Sequence, residues 1–72
     1  MVRRGKVIFF NFTLGYGFIN DSETKEDIFV RKKSLLDKHI IPGDEVEYDI
    51  SQDTDGKVAC NVRIIGKKDD SQ

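Results

Sequence analysis

The sequence predicts an all-β protein, a five-stranded antiparallel barrel, and three observations predict it. Five short segments are rich in β-branched and aromatic residues or alternate between apolar and polar residues, as half-buried strands do. No segment has the length and 3.6-residue periodicity of a long helix. Glycine-containing turns punctuate the chain, and closing the sheet removes exposed edges that only 72 residues could not otherwise protect.

The first three strands are predicted in the first half of the chain. The first is GKVIFFNF, residues 5–12, which is dense in β-branched and aromatic side chains. After a short turn, the second is YGFIND, residues 16–21, which the polar cluster NDSETKE ends. The third is DIFVR, residues 27–31, whose strict alternation turns Ile28 and Val30 toward the core.

Two turns are predicted between the third and fourth strands. Ser34 can cap a single helical turn over SLLD, residues 34–37. Further along, Pro42 and Gly43 follow one another in the order that a type II turn favours. The fourth strand is DEVEYDI, residues 44–50, and its alternation gives it one apolar face and one acidic face.

The fifth strand is predicted after a hairpin loop. The loop SQDTDGK, residues 51–57, contains an Asp-Gly pair, which tolerates the positive φ of a tight hairpin. It leads into KVACNVRII, residues 57–65. We expect residues 1–66 to form one domain and residues 67–72 to form a flexible polar tail. A five-stranded barrel of this size has the OB architecture.

The composition predicts a soluble globular domain, since 38% of the residues are hydrophobic and 35% are charged. No apolar run approaches the roughly 18–20 residues that cross a bilayer. The start MVRRGKV also lacks the apolar stretch of a secretory signal, so we expect a cytoplasmic location. The lone Cys60 lies within VACNV, where we expect it to pack as a small apolar group in a reducing compartment.

Charge is unevenly distributed along the chain, although the net charge is only −1. Residues 1–14 carry three cations and no acid, and residues 31–43 carry four cations and one acid. Residues 44–56, in contrast, carry six acids and no cation. If the two basic segments meet in space, one face of the barrel is basic and the opposite face is acidic.

Three aromatic rings are predicted on the outside of the barrel. Aliphatic residues take the core side of the second and third strands, so the residues of opposite parity point outward, namely Tyr16, Phe18 and Phe29. Such rings form a platform for unpaired bases, each worth about 1–3 kcal/mol when stacked, and demand no particular base sequence. The neighbouring cations would then meet phosphates: Lys6, Arg31 and Lys32. The alternative is that the rings cover an apolar seam against a loop or a dimer partner.

Catalysis and metal binding are not expected. The single histidine, His39, and Cys60 fall in different elements, and no nucleophile with its base is suggested. The segment DTDG, residues 53–56, is similar to the start of a calcium loop but lacks the required downstream Glu. Zinc would have too few ligands. We therefore predict a protein that is not an enzyme and needs no cofactor.

Three motifs resemble the cold-shock domain family. The segments GKVIFFN, GYGFI and DIFV follow one another at the spacing of that family, and PGDEVEYDI and KVACNV resemble its last two strands. The resemblance covers residues 4–65. It implies a five-stranded OB barrel that binds single-stranded RNA or DNA through exposed aromatic side chains.

The resemblance also implies a set of site residues. Phe9 stands where the family usually has a surface Trp, and Val7 and Phe10 stand at core positions, which requires a local bulge in the first strand. Arg31 and Lys32 replace a His and a Phe, so stacking area is exchanged for charge. The positions implied to contact nucleic acid are Lys6, Phe9, Asn11, Tyr16, Phe18, Asp27, Phe29, Arg31 and Lys32.

These observations predict a single-strand nucleic-acid binder that acts like an RNA chaperone. The expected partner is single-stranded RNA or DNA, without a membrane or a small-molecule substrate, and the protein is expected to be a monomer or a weak dimer. One alternative is a protein-interaction module that uses the acidic face of the fourth strand: Glu45, Glu47 and Asp49. Another is an RNA binder like an OB-fold translation factor, which would prefer folded RNA.

Overall fold

The fold is a closed five-stranded barrel, seen in a computed structural model that describes residues 2–54 and 56–65. A short 3₁₀ turn, Lys32–Ser34, follows the third strand. Within the described residues, no helix is long and apolar enough to cross a membrane. The predicted tail, residues 67–72, lies outside the described part. The strands are β1 (Arg3–Asn11), β2 (Tyr16–Asp21), β3 (Asp27–Arg31), β4 (Glu45–Asp53) and β5 (Gly56–Ile64).

The strands follow the order β1-β2-β3-β5-β4 around the barrel, and β4 closes the ring by pairing with β1. Four of the neighbouring pairs are antiparallel, as predicted. The pair β3–β5 is parallel, with Phe29 opposite Val58 and Val30 opposite Ala59. A parallel pair is unavoidable, because five strands in a closed ring cannot alternate in direction throughout.

The barrel interior is filled by one tyrosine and by aliphatic side chains from every strand and from the connection after β3. The predicted core residues Ile19, Ile28 and Val30 are 0%, 3% and 0% exposed, which confirms the period-two interpretation of β2 and β3. Phe10, Ile50 and Ile64 pack against this core from its rim. The fully buried set is Val7, Ile19, Ile28, Val30, Leu35, Ile40, Val46, Tyr48, Ala59 and Val62.

A bulge in β1 changes which side chains face the core. Val7 lies opposite Ile19 on β2, but the next pair joins Phe9 to Phe18, which leaves Ile8 as an extra residue. Val7 is therefore buried and Phe9 is 39% exposed, although strict alternation would place both on the same face. The bulge that the sequence motifs required is confirmed.

Several predicted boundaries were wrong by a few residues. β1 ends at Asn11, so Phe12 belongs to the turn rather than to the strand. β4 runs to Asp53 and pairs with β5 down to Gly56, so the predicted loop over residues 51–57 is mostly strand. Gly56 has a φ of +114°, in keeping with the expected tight hairpin.

The connection between β3 and β4 differs most from the prediction. The helical turn lies at Lys32–Ser34 instead of residues 34–37, because Leu35 is in extended form and bridges to β5. Leu35 is buried and bridges to Val62, and the Leu36 N–H donates a 2.7 Å hydrogen bond to the Val62 carbonyl. Burying Leu35 in the core therefore prevents the continued helix that SLLD suggested.

The predicted turn at Pro42 and Gly43 is confirmed. Gly43 has a φ of +97°, which glycine adopts without strain, and the Asp44 N–H donates a 3.1 Å hydrogen bond to the Ile41 carbonyl. The Val7 N–H in turn donates a 2.9 Å hydrogen bond to the carbonyl of Asp44. This turn ties the start of β4 to β1.

Asp21 is the one buried charged residue in the described part of the chain, with 1% exposure. Its carboxylate accepts hydrogen bonds from Arg3 Nε at 2.8 Å and from the Tyr48 hydroxyl at 2.6 Å. The backbone N–H groups of Glu23 and Thr24 donate to it at 2.8 Å and 3.0 Å. With Arg3 Nη2, which donates at 3.3 Å, five donor atoms therefore satisfy a carboxylate that the sequence places in a polar cluster.

The same contacts shift two pKa values in opposite directions. The hydrogen bond from Arg3 holds the pKa of Asp21 well below its usual range, and the Tyr48 hydroxyl and two backbone N–H groups reinforce this, against the opposing effect of burial. Burial, followed by the hydrogen bond to Asp21, raises the pKa of Tyr48 well above its usual value. At neutral pH the carboxylate is charged and the phenol is neutral.

Candidate nucleic-acid interface

Four aromatic side chains form a continuous patch on the outside of β1, β2 and β3, here called the ring face: Phe9, Tyr16, Phe18 and Phe29. Phe18 lies opposite Phe9 on β1 and opposite Phe29 on β3, so the cross-strand register brings the rings together. Tyr16 is stacked with Phe29 at 5.7 Å between centroids and meets Phe9 edge-on at 5.9 Å. Phe18 meets Phe29 edge-on at 5.8 Å.

The residue between Tyr16 and Phe18 must be glycine because β1 leaves no room for a side chain at position 17. It is buried between them on the inner side of β2. A Cβ at this position would meet the Phe9 carbonyl oxygen and would lie 2.5 Å from Cδ2 of the Phe10 ring. β2 can therefore approach β1 only without a side chain here, and this close approach sets Phe9 beside Tyr16.

Arg31 borders the ring face on β3. Its guanidinium carbon lies 5.7 Å from the centroid of Phe29, within the range of a cation–π contact. One guanidinium nitrogen also donates a 3.1 Å hydrogen bond to Asp53 at the end of β4. The side chain of Arg31 is 42% exposed, so the cation is held at the edge of the rings and remains open to an anion.

A small cavity of about 210 Å³ adjoins the ring face between β3 and β5. Phe29 and Arg31 line it from one side, and Lys57 and Val58 line it from the other. The sequence motifs did not point to Lys57, Val58 or Asp53. Their position follows from the parallel pairing of Phe29 with Val58, which only the closed barrel reveals.

Asn11 and Lys32 lie at one end of the ring face. Asn11 is opposite Tyr16, and its Oδ1 accepts a 2.8 Å hydrogen bond from the Leu14 N–H, which holds the turn between β1 and β2. The Lys32 N–H donates a 2.9 Å hydrogen bond to the Gly15 carbonyl. Asn11 therefore has a structural function in addition to any contact that its amide N–H₂ makes.

Lys6 and Asp27 lie at the other end. Both are exposed, and each is paired in register with Asn20 on β2. The Asn20 amide donates a 3.0 Å hydrogen bond to the Asp27 carboxylate. Lys6 is also opposite Glu45 on β4, so this end carries mixed charge whereas the Lys32 end is basic.

The structure therefore brings all the predicted site residues to one continuous surface. The rings lie in the middle, Arg31 is on the β3 side, and the remaining polar residues lie at the two ends. Besides Asp53 and the β5 residues, one feature of this surface differs from the prediction: Phe12, predicted to be in β1, lies in the turn just beyond Asn11 and is 39% exposed. That these residues contact nucleic acid stays a prediction.

Comparison with known proteins agrees with this geometry. The family model of the 'Cold-shock' DNA-binding domain matches residues 3–65. A cold shock-like protein of Aquifex aeolicus is 39% identical over 67 residues, which cover 89% of this chain and 96% of that protein. Cold shock-like protein CspC of Escherichia coli (strain K12) is 32% identical over 65 residues, covering 86% and 94%. Y-box-binding protein 1 of Xenopus laevis is 37% identical over 65 residues, which cover 81% of this chain and 22% of that longer protein. This chain belongs to the cold-shock domain family.

Proposed function

We propose that this protein binds single-stranded RNA or DNA by stacking unpaired bases on the ring face. The observation that carries the proposal is the continuous patch of four partly exposed rings, with centroids 5.7–6.3 Å apart, on a barrel whose interior is already filled. A base has an apolar face of similar size to a Phe ring and gains about 1–3 kcal/mol by stacking on it. Membership of the cold-shock domain family supports the same function.

Stacking on the ring face gives the protein an RNA-chaperone-like activity. A base that is paired within a hairpin cannot present its face to Tyr16, Phe18 or Phe29. Binding therefore favours the unpaired form by the difference in affinity between the two forms, and no nucleotide hydrolysis is needed. We propose that the protein acts in this way in the cytoplasm, as a monomer or a weak dimer.

Phosphates are proposed to lie against the cations that border the rings. Arg31 is the best placed, since it contacts Phe29, and Lys6 and Lys32 extend the basic border to the two ends. If roughly three to five phosphates are neutralised, the logarithm of the affinity falls with the logarithm of salt concentration with a slope of about −2 to −3.5. An affinity that does not depend on salt contradicts this part of the proposal.

The acidic face of β4 supports a protein-interaction module less strongly than the ring face supports base stacking. Glu47 pairs with Arg63 at 3.6 Å, and Asp49 accepts a 3.3 Å hydrogen bond from the Asn61 amide. Two of its three acids thus already have partners on β5. The second alternative is a protein that binds folded RNA, which would bind a stable hairpin more tightly than oligo-U. If bases stack on the ring face, we expect the protein to bind oligo-U more tightly than a stable hairpin of equal length.

An NMR titration with a short oligo-U or oligo-dT tests the proposal. Shift changes are expected to cluster on the ring face, Arg31 and Lys32. Changes clustered on β4 instead would contradict stacking on the ring face, and the absence of any change would refute binding to single strands.

A further inference from the structure

A second groove adjoins the ring face at its basic end, here called the lysine groove, with a volume of about 590 Å³. Its position follows from the chain: Phe12 comes directly after Asn11 at the end of β1, and Lys32 comes directly after Arg31 at the end of β3. The hydrogen bond from the Lys32 N–H to the Gly15 carbonyl joins these two ends. The groove is lined by Phe12, Lys32, Lys33, Leu35 and Lys38.

Phe12 presents an open ring in this groove. It is 39% exposed, and its inner side packs against Phe10 with 4.7 Å between centroids and a tilt of 52°. Phe10 in turn packs against the barrel core. The geometry is that of the ring face: one side of an aromatic ring is supported by the protein and the other faces solvent.

The three lysines give the groove a net positive charge. Within the described residues, none of Lys32, Lys33 and Lys38 forms an ion pair. Two acids lie between β3 and β4: Asp37 Oδ2 accepts a 2.8 Å hydrogen bond from the Ile64 N–H, and Asp44 Oδ2 accepts a 3.0 Å hydrogen bond from the Ile41 N–H. The groove therefore combines an apolar floor with cations that have no anionic partner in the described structure.

We propose that the lysine groove binds nucleotides of the same strand beyond those stacked on the ring face, with a base on Phe12 and phosphates on the lysines. The inference rests on the proposed function, and it adds Phe12, Lys33 and Lys38 to the residues that the family motifs imply. Continuity favours a nucleic-acid strand over another polyanion, because a strand leaving Tyr16 past Asn11 and Lys32 enters this groove directly.

The test compares oligo-dT of four and eight nucleotides on the wild type and two variants. Phe12→Leu keeps the apolar packing on Phe10 and removes the ring. Lys33→Gln/Lys38→Gln removes two charges outside the ring face. We expect Phe12→Leu to weaken octamer binding by about five-fold or more, the lower end for one stacked base. We expect the double variant to reduce the salt slope for the octamer by about 1.4, as for two phosphates on a single strand.

Tetramer binding is the internal control, because four nucleotides can occupy the ring face alone. Both variants are expected to bind the tetramer within two-fold of the wild type. Arg4→Gln/Arg63→Gln removes two charges that flank Glu47 and do not line the groove, and is expected to leave the octamer-to-tetramer affinity ratio unchanged.

Each outcome decides between the proposals. Octamer affinities of the groove variants equal to the wild type, with tetramer binding intact, overturn the groove and leave the ring face standing. A wild type that binds neither length overturns the proposed function and the groove together. If an oligoglutamate of equal charge displaces the octamer contacts at Lys33 and Lys38 as effectively as unlabelled octamer, the groove binds acidic peptide and the inference is wrong.

Discussion

Arg31 and Asp53 form an ion pair of 3.1 Å at the edge of the ring face. Both side chains are partly exposed, at 42% and 35%, and pairs of this kind contribute about 0–1 kcal/mol. The pair is therefore weak enough to exchange for a phosphate or a base. While it is intact, Asp53 competes with any anionic ligand for the cation that lies over Phe29.

Asp53→Asn is accordingly expected to strengthen binding. Asparagine keeps the side-chain oxygen that accepts the 2.8 Å hydrogen bond from the Thr54 N–H, so the hairpin is preserved. Freeing Arg31 and removing one negative charge should tighten the binding of oligo-U by up to about five-fold. Fluorescence anisotropy at low and moderate salt measures this, and an unchanged or weaker affinity at low salt would contradict it.

Removing a ring from the ring face should cost most of the affinity. Phe18→Ala or Phe29→Ala removes a stacking surface worth about 1–3 kcal/mol, so a loss of about 5- to 150-fold is expected. Ile41→Ala serves as the control, since Ile41 is 62% exposed and precedes the turn at Pro42 and Gly43, outside the strands that carry the rings. Circular dichroism should show that each variant is folded; a folded Phe29→Ala with wild-type affinity would refute stacking on this ring.

The hydroxyl of Tyr48 is expected to contribute to stability through Asp21. Tyr48→Phe leaves the packing of the ring intact but deprives a buried carboxylate of its 2.6 Å hydrogen bond. We expect the free energy of unfolding to fall by about 1–3 kcal/mol, measured by urea denaturation. Tyr16→Phe is the matched control, because the Tyr16 hydroxyl forms no hydrogen bond within the described residues, and an equal loss in both variants would contradict the argument.

Asp21 should also govern the stability of the protein in acid. Its pKa is lowered in the folded state, so its stabilising contribution is present above the unfolded pKa, about 3.9, and is lost as the pH falls toward the folded pKa. Tyr48 acts at the other extreme: its pKa is raised, so its contribution is present below about pH 10 and is lost as the pH rises beyond.

The pH dependence can be assigned by comparing the wild type with Asp21→Asn. The urea midpoint of the wild type should fall steeply between about pH 4 and pH 2. The variant should be less stable at neutral pH, and its midpoint should depend less on pH in this interval. Parallel pH profiles for the two proteins would show that other carboxylates dominate acid unfolding.

Gly17→Ala should destabilise the barrel at the point where β1 and β2 are closest. The added methyl group would meet the Phe9 carbonyl and the Phe10 ring, and neither can move without disturbing the core. Overpacking of this kind costs about 1–3 kcal/mol, and for a domain of this size each 1 kcal/mol lowers Tm by about 4–8 °C. A Tm within 2 °C of the wild type would show that the two strands can separate freely here.

The inner and outer faces of β2 and β3, with the three rings that they carry, were predictable because alternation is a local signal. The alternation of Ile28 and Val30 indicates the inner side of β3, so Phe29 between them must lie on the outer side. Asp21 was not predictable, because its partners Arg3 and Tyr48 are 18 and 27 residues away and nothing local distinguishes it from a loop carboxylate. The prediction of a helical turn at residues 34–37 was wrong for the same reason, since the burial of Leu35 depends on its distant partner Val62.

The site residues likewise divide into those that local sequence patterns predict and those that depend on contacts between distant strands. Residues on β2 and β3 could be assigned from parity, whereas Asp53 and Lys57 come to the rings only when β5 closes against β3. The bulge at Ile8 was inferred from the resemblance and not from the pattern, since Val7 and Phe9 have the same parity. Phe12 was assigned to the strand because its aromatic side chain continues the apolar run of β1.

The short parallel contact between β3 and β5 makes ligand binding and barrel closure interdependent. Between these strands the ladder has two residue pairs, and one of them contains Phe29. Amide protons at such a seam are expected to exchange with solvent sooner than those in the longer ladders. A nucleotide stacked on Phe29 with its phosphate near Lys57 would contact both strands across this seam, so hydrogen exchange of the amides that bond between β3 and β5 should slow when the strand binds.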